Sequence, residues 1–228
     1  MIFINKTFYS VCQCVSPNPN IAIILIIIIL GFWCMTLSLI HPTITITTIN
    51  MSNYIRYRVP GGCYFFTVNL LERQKKLLTE NIELLRYAFR QVKQQRPFYI
   101  DAIVILPEHL HCILTLSRGD DDFSGRWRMI KKTFSKQLPK TEYLSDIRIK
   151  RNERGIWQRR FWEHTIRNEQ DYRQHVDYIH YNPVKHGYVK QIIDWKYSSF
   201  HRAVNWGIYP PNWGGEGINE KMNGKYLE

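Results

Sequence analysis

Leu106-Pro107-Glu108-His109-Leu110-His111-Cys112-Ile113-Leu114-Thr115-Leu116 is the stretch from which the rest of the chain is read. Pro107-Glu108 breaks two apolar runs of strand length, Phe98 to Leu106 and His109 to Leu116, and predicts an antiparallel hairpin. In an extended chain, side chains alternate between faces. His109 and His111 therefore share one face, and Leu110, Cys112, Leu114 and Leu116 share the other. The second face is continuous and apolar, so it belongs to a core. The first sets two imidazole nitrogens side by side, a pairing that suits a divalent metal ion. Taken alone, a His-x-His pair is more often structural than functional. Two small-enzyme patterns do not fit: a histidine triad needs a third His where Ile113 stands, and a His-x-Thr phosphoesterase needs Thr or Ser in place of His111.

Working outward, Gly61-Gly62 precedes a β-branched and aromatic run, Cys63 to Leu70, expected as a strand. Thr79 to Arg96 reads as a helix capped by Thr79 and stopped by Pro97, with Ile82, Leu85, Phe89 and Val92 at helical spacing. After a polar turn, Arg118 to Asp122, a second helix carries the stripe Trp127, Ile130, Phe134 and Leu138. Residues 139–153 read as loop and Ile156 to Ile166 as another strand. Asn168 caps a third helix expected to end near Asn182-Pro183. This order predicts an α+β fold, one compact domain with an antiparallel sheet flanked by helices over residues 51–190. Residues 191–228 form an aromatic tail of little periodicity.

The third helix supplies what the histidines lack. Asp171, His175, Tyr178 and Asn182 are spaced 4, 3 and 4 apart and share one face. Tyr172, Val176 and Ile179 form the neighbouring stripe, expected to pack on the sheet. A carboxamide oxygen from Asn182 can complete a two-His, one-oxygen site that suits Mg2+ or Mn2+ better than structural zinc. Tyr178 can then attack a phosphodiester, although a phenol of pKa about 10 needs help at neutral pH. His175 or the metal can give it. The plainer alternative makes Tyr178 a core-edge residue, one of 14 tyrosines.

The chain has 228 residues and carries 31 Lys and Arg against 19 Asp and Glu, a net charge of +12. With a pI near 9.5, this balance points to a polyanionic partner. The five cysteines show no metal-site spacing and no disulfide framework, which fits a reducing compartment. Residues 1–50 hold one basic residue, Lys6, and no acidic one. The apolar run from Ile21 to Ile40 has the length of a membrane span. The reading preferred here is a low-complexity stretch translated upstream of a start at Met51; a membrane anchor is the alternative.

From Met51 on, the sequence resembles the REP-associated tyrosine transposases, a branch of the single-tyrosine HUH transposases of insertion-sequence type. The resemblance rests on Gly61 to Leu70, Leu106 to Cys112, Arg160-Phe161-Trp162-Glu163-His164 and Asp177-Tyr178-Ile179-His180-Tyr181-Asn182-Pro183-Val184-Lys185-His186-Gly187. It implies the HUH, ferredoxin-like palm and a divalent metal, Mg2+ or Mn2+, on His109, His111 and Asn182. It further implies Tyr178 as the nucleophile of a covalent 5′-phosphotyrosine, with Tyr181 as the fallback. Palindromic, hairpin-forming single-stranded DNA is the implied partner. Candidate phosphate-holding residues are Arg126, Arg128, Lys131, Lys132, Lys136, Arg159, Arg160 and Lys185. Trp127, Trp157, Phe161 and Trp162 are candidate stacking platforms that can equally be core. The tail is expected to lie over the DNA groove or to mask the active site. The reading implies a cytoplasmic, nucleoid-associated monomer or homodimer with no small-molecule cofactor. A silent hairpin-DNA-binding protein and a membrane-anchored basic protein are the alternatives.

Overall fold

The computed structural model describes residues 56–215, so the apolar N-terminal run lies outside the described residues. Among the described residues, no helix is long and apolar enough to cross a membrane. The chain gives β1 (Cys63–Asn69), α1 (Leu77–Glu80), α2 (Ile82–Gln95), β2 (Phe98–Ile105), β3 (His109–Leu116) and α3 (Phe123–Gln137). Then follow α4 (Asp146–Lys150), β4 (Trp162–Thr165), α5 (Glu169–Lys185), a 3-10 turn (Ile192–Asp194) and α6 (Phe200–Asn205). The four strands form one sheet in the order β2-β3-β1-β4, every pairing antiparallel. This is the expected α+β architecture, with β3 and β1 at the centre of the sheet and β2 and β4 at its edges.

The alternation of β3 divides the protein into layers. Leu110, Cys112, Leu114 and Leu116 join Tyr64, Phe66 and Val68 of β1 in a core closed by α2 and α3, where Trp127, Ile130 and Phe134 are fully buried. On the opposite face, Phe65, Ile113, Ala102 and Val104 pack against Tyr178 and Ile179 of α5. Tyr172 and Val176 line the margin of that second core, as their spacing predicts.

Several boundaries differ from those expected. The helix read from Thr79 is two: α1 stops at Glu80, and α2 begins after Asn81, whose Nδ2 donates back to the Leu77 carbonyl. The loop 139–153 holds the short α4. Of the strand read over Ile156 to Ile166, only Trp162–Thr165 pairs with β1; Trp157 makes an isolated bridge to Leu70. The ends of that run belong to different layers, since Ile156 and Trp157 enter the first core and Trp162 and Ile166 flank the second. Helix α5 does not stop at Asn182-Pro183 but runs on to Lys185. Pro183 costs one amide donor, and the next turn is closed by the His186 amide on the Asn182 carbonyl. The described part of the tail, residues 191–215, is folded as well. Ile192, Phe200 and Trp213 form a third cluster with Tyr181 and Tyr209, and Ser198 bridges to Val104 of β2.

Arg126 is a correction of another kind. Expected among the DNA-binding residues, it is completely buried beneath the turn that starts α3. Its guanidinium donates to the Asp120 carboxylate at 2.7 Å and to the carbonyls of Pro97, Asp122 and Arg96. That bond holds the Asp120 carboxyl down to about 2. Arg126→Ala removes a fully buried donor from three carbonyls and a carboxylate, so it should destabilise the fold by about 3 kcal/mol in urea unfolding. A loss below about 1 kcal/mol, the level of an exposed pair, contradicts this role.

Candidate functional site

His109 and His111 are both fully buried on the sheet face covered by α5. Register explains their surroundings: Thr67 lies opposite His111, and Asn69 opposite His109. Thr67 Oγ1 is 2.9 Å from His111 Nδ1, and the Glu108 carboxylate accepts from His109 Nδ1 at 2.9 Å. With Nδ1 engaged on each ring, Nε2 is the nitrogen each has to offer a ligand. Burial acts to raise the Glu108 carboxyl, but hydrogen bonds from His109 and from Tyr188 (3.1 Å) outweigh it and hold the group below its ordinary range. Neither Thr67 nor Glu108 was singled out from the sequence. Their adjacency, across the ladder and along the chain, was the available signal.

Helix α5 closes the site from above. The Tyr178 ring lies 5.3 Å from the His111 ring, and the His186 ring lies 5.2 Å from that of His109. Tyr178, Asn182 and His186 follow one another at intervals of four, so Asn182 sits between the two contacts on the stripe that faces the histidines. Asn182 is fully buried, and neither atom of its carboxamide has a hydrogen-bond partner among the described residues. The face carrying Tyr178 and Asn182 is thus turned inward, as is the neighbouring stripe expected to pack on the sheet. Tyr181 points away, into the third cluster with the tail.

Lys185, expected at the DNA surface, donates from Nζ to the Tyr178 hydroxyl at 3.2 Å. His175, expected to help proton transfer, is committed through Nδ1 to Asp171, 2.7 Å from its carbonyl and 3.1 Å from its carboxylate. The remaining basic residues lie on the other side of the sheet. Arg128, Lys131, Lys132, Lys136 and Arg159 line a groove of about 720 Å³ with Arg56, and Arg160 is exposed beside it. Of the candidate platforms, Trp127 and Trp157 are core, while Phe161 is half-buried in the groove wall, between Arg56 (4.3 Å) and Lys131 (5.5 Å). Burial, with the Arg56 charge nearby, pushes the Lys131 ammonium down to about 8. Among the described residues the tail does not line this groove; its described part packs along β2, where Trp195 donates to the Ile105 carbonyl.

No protein-family model matches the chain. A REP-associated tyrosine transposase of Escherichia coli K12 is 54% identical over 166 residues, which cover 73% of this chain and 93% of that protein. The chain belongs to the REP-associated tyrosine transposases. A Haemophilus influenzae protein is 50% identical over 166 residues, 72% of this chain and 94% of that one. A solved REP-associated tyrosine transposase bound to a REP hairpin superposes with a TM-score of 0.64 at 53% identity, covering 75% of this chain and 94% of that structure. The fold built above, a four-stranded antiparallel sheet with helices, is that family's fold.

Proposed function

We propose that this transposase is a metal-dependent endonuclease and strand transferase that cuts single-stranded DNA beside palindromic, hairpin-forming repeats, with Tyr178 as nucleophile. The reading rests above all on the juxtaposition of Tyr178 with His111, two residues far apart in sequence whose rings lie 5.3 Å apart within one chain. The solved relative bound to a REP hairpin supports the choice of substrate.

The residues fit a divalent cation. The Asn182 carboxamide is buried without a hydrogen-bond partner among the described residues, and each histidine has its Nδ1 oriented by a neighbour. His109, His111 and Asn182 would hold Mg2+ or Mn2+, which would set positive charge against the oxygens of the scissile phosphate. The Tyr178 oxygen attacks phosphorus and forms a new P–O bond as the bond to the 3′ oxygen breaks. The products are a 5′-phosphotyrosine and a free 3′ hydroxyl. The phenol gives up its proton, and the departing oxygen takes one up. Lys185 orients the phenol and stabilises the charge that develops on it, in place of the phosphate contact expected of it. Phosphates of the hairpin occupy the groove of Arg128, Lys131, Lys132 and Lys136, where counterion release favours binding.

With a labelled single-stranded hairpin and Mg2+ or Mn2+, the chain should form a covalent, protease-sensitive protein–DNA band on a denaturing gel. Tyr178→Phe and His111→Ala should each abolish it. Retardation on a native gel with no covalent band across several hairpins and metals would favour a silent hairpin-binding protein instead. The groove makes a second prediction, on pH. Lys131 is charged below about 8 and neutral above it, so hairpin affinity should weaken as pH rises through about 8. Lys131→Met should weaken binding at lower pH and remove that step in fluorescence anisotropy. A step that persists in the variant would assign it to another group.

A further inference from the structure

A second cluster of metal-ligating side chains lies beside the tyrosine helix but outside the His109–His111 site. His164 lies near the end of β4, and Asp171 and His175 occupy the first two turns of α5. One donor atom from each, two imidazole nitrogens and a carboxylate oxygen, all lie within 4.8 Å of one another. His164 Nε2 is 2.8 Å from one Asp171 oxygen, and His175 Nδ1 is 3.1 Å from the other. The imidazoles lie against each other, 4.7 Å between centroids and 14° between planes. The Phe65 ring, 4.8 Å from His175 and 5.6 Å from His111, touches both histidines and places this cluster beside the first site, not within it.

We propose that His164, Asp171 and His175 form a second cation site, for a transition-metal ion of the zinc class, which staples β4 to the start of the helix carrying Tyr178. Two imidazoles and one carboxylate are a donor set that such ions take readily. The carboxylate is already oriented, since the Arg167 amide donates to Asp171 Oδ2 at 3.0 Å, as outer-shell donors do around ligating carboxylates. The His164 and Asp171 side chains keep 14% and 18% of their surface, which leaves an entry path, while His175 closes the inner side at 1%. On binding, the ion takes the place of the hydrogen bonds now made between the imidazoles and Asp171, including that of His175 Nδ1 to the Asp171 carbonyl, and each neutral ring keeps its proton on the nitrogen turned away from the ion. The site joins a strand to a helix across the Arg167–Asn168 turn, so the ion restrains the first turns of α5. This proposal stands apart from the nuclease reading and survives its failure.

The test is the zinc content of tag-free full-length chain after equilibration with Zn2+ and desalting. His109→Ala/His111→Ala serves as the parent, so that only the second cluster varies. Adding Asp171→Ala or, in a separate chain, the milder His164→Gln should remove one zinc ion per chain. Cobalt(II) should give a visible absorption band in the parent that both additions abolish. Zinc content unchanged by either addition overturns the proposal and leaves the cluster as a hydrogen-bonded pin between β4 and α5. So does a cobalt band that persists.

Discussion

The pairing of β1 with β3 places Thr67 beside His111, and much of the molecule follows from that register. An imidazole buried without a partner is costly, so two fully buried histidines are tolerated only where neighbours satisfy them. Thr67 and Glu108 do so at Nδ1. A slip of one residue along this ladder would turn Leu110 and Cys112 toward α5 and drive both histidines into the aromatic core. The apolar face and the ligand face are therefore fixed together: the packing that buries Leu110, Cys112 and Leu114 also fixes where His109 and His111 can point.

The tyrosine helix is held to that face by several independent contacts. Tyr178 and Ile179 fill the second core, Asn168 caps the first turn by accepting from the Asp171 amide at 2.8 Å, and His186 meets His109 at the far end. The folded tail adds to this. Ser199 Oγ donates toward or accepts from His180 at 3.1 Å, while burial holds that imidazole neutral, down to about 3. Tyr209 bonds Asp177 on the outer side of the same helix. Tyr178 consequently meets His111 of its own chain.

Much of this was legible in the sequence wherever a short period carries the information. The alternation of His109 to Leu116 gave both faces of β3, and the four-residue spacing put Tyr178 and Asn182 on one face of α5, although Tyr172, Val176 and Ile179 were the stripe expected against the sheet. Other features failed to show because their causes are distant in the chain. Arg126 has the spacing of its exposed neighbours, and only the carbonyls ending β2's approach and the Asp120 turn make it internal. Pro183 predicts a helix stop, but packing of Tyr178 and Ile179 below it and the His186 amide above carry the helix through. The tail lacks periodicity because its order comes from aromatic contacts with β2 and α5, not from a repeating face of its own.

The central claim is that one chain brings its own histidine pair and its own tyrosine together. A mixing experiment tests it most directly: Tyr178→Phe chain is combined with His111→Ala chain, alongside wild type, on a labelled single-stranded hairpin with Mn2+. The account predicts a covalent protein–DNA band from wild type and none from either variant or from their mixture. A band restored in the mixture would contradict it, because the tyrosine of one chain would then be serving the histidines of another.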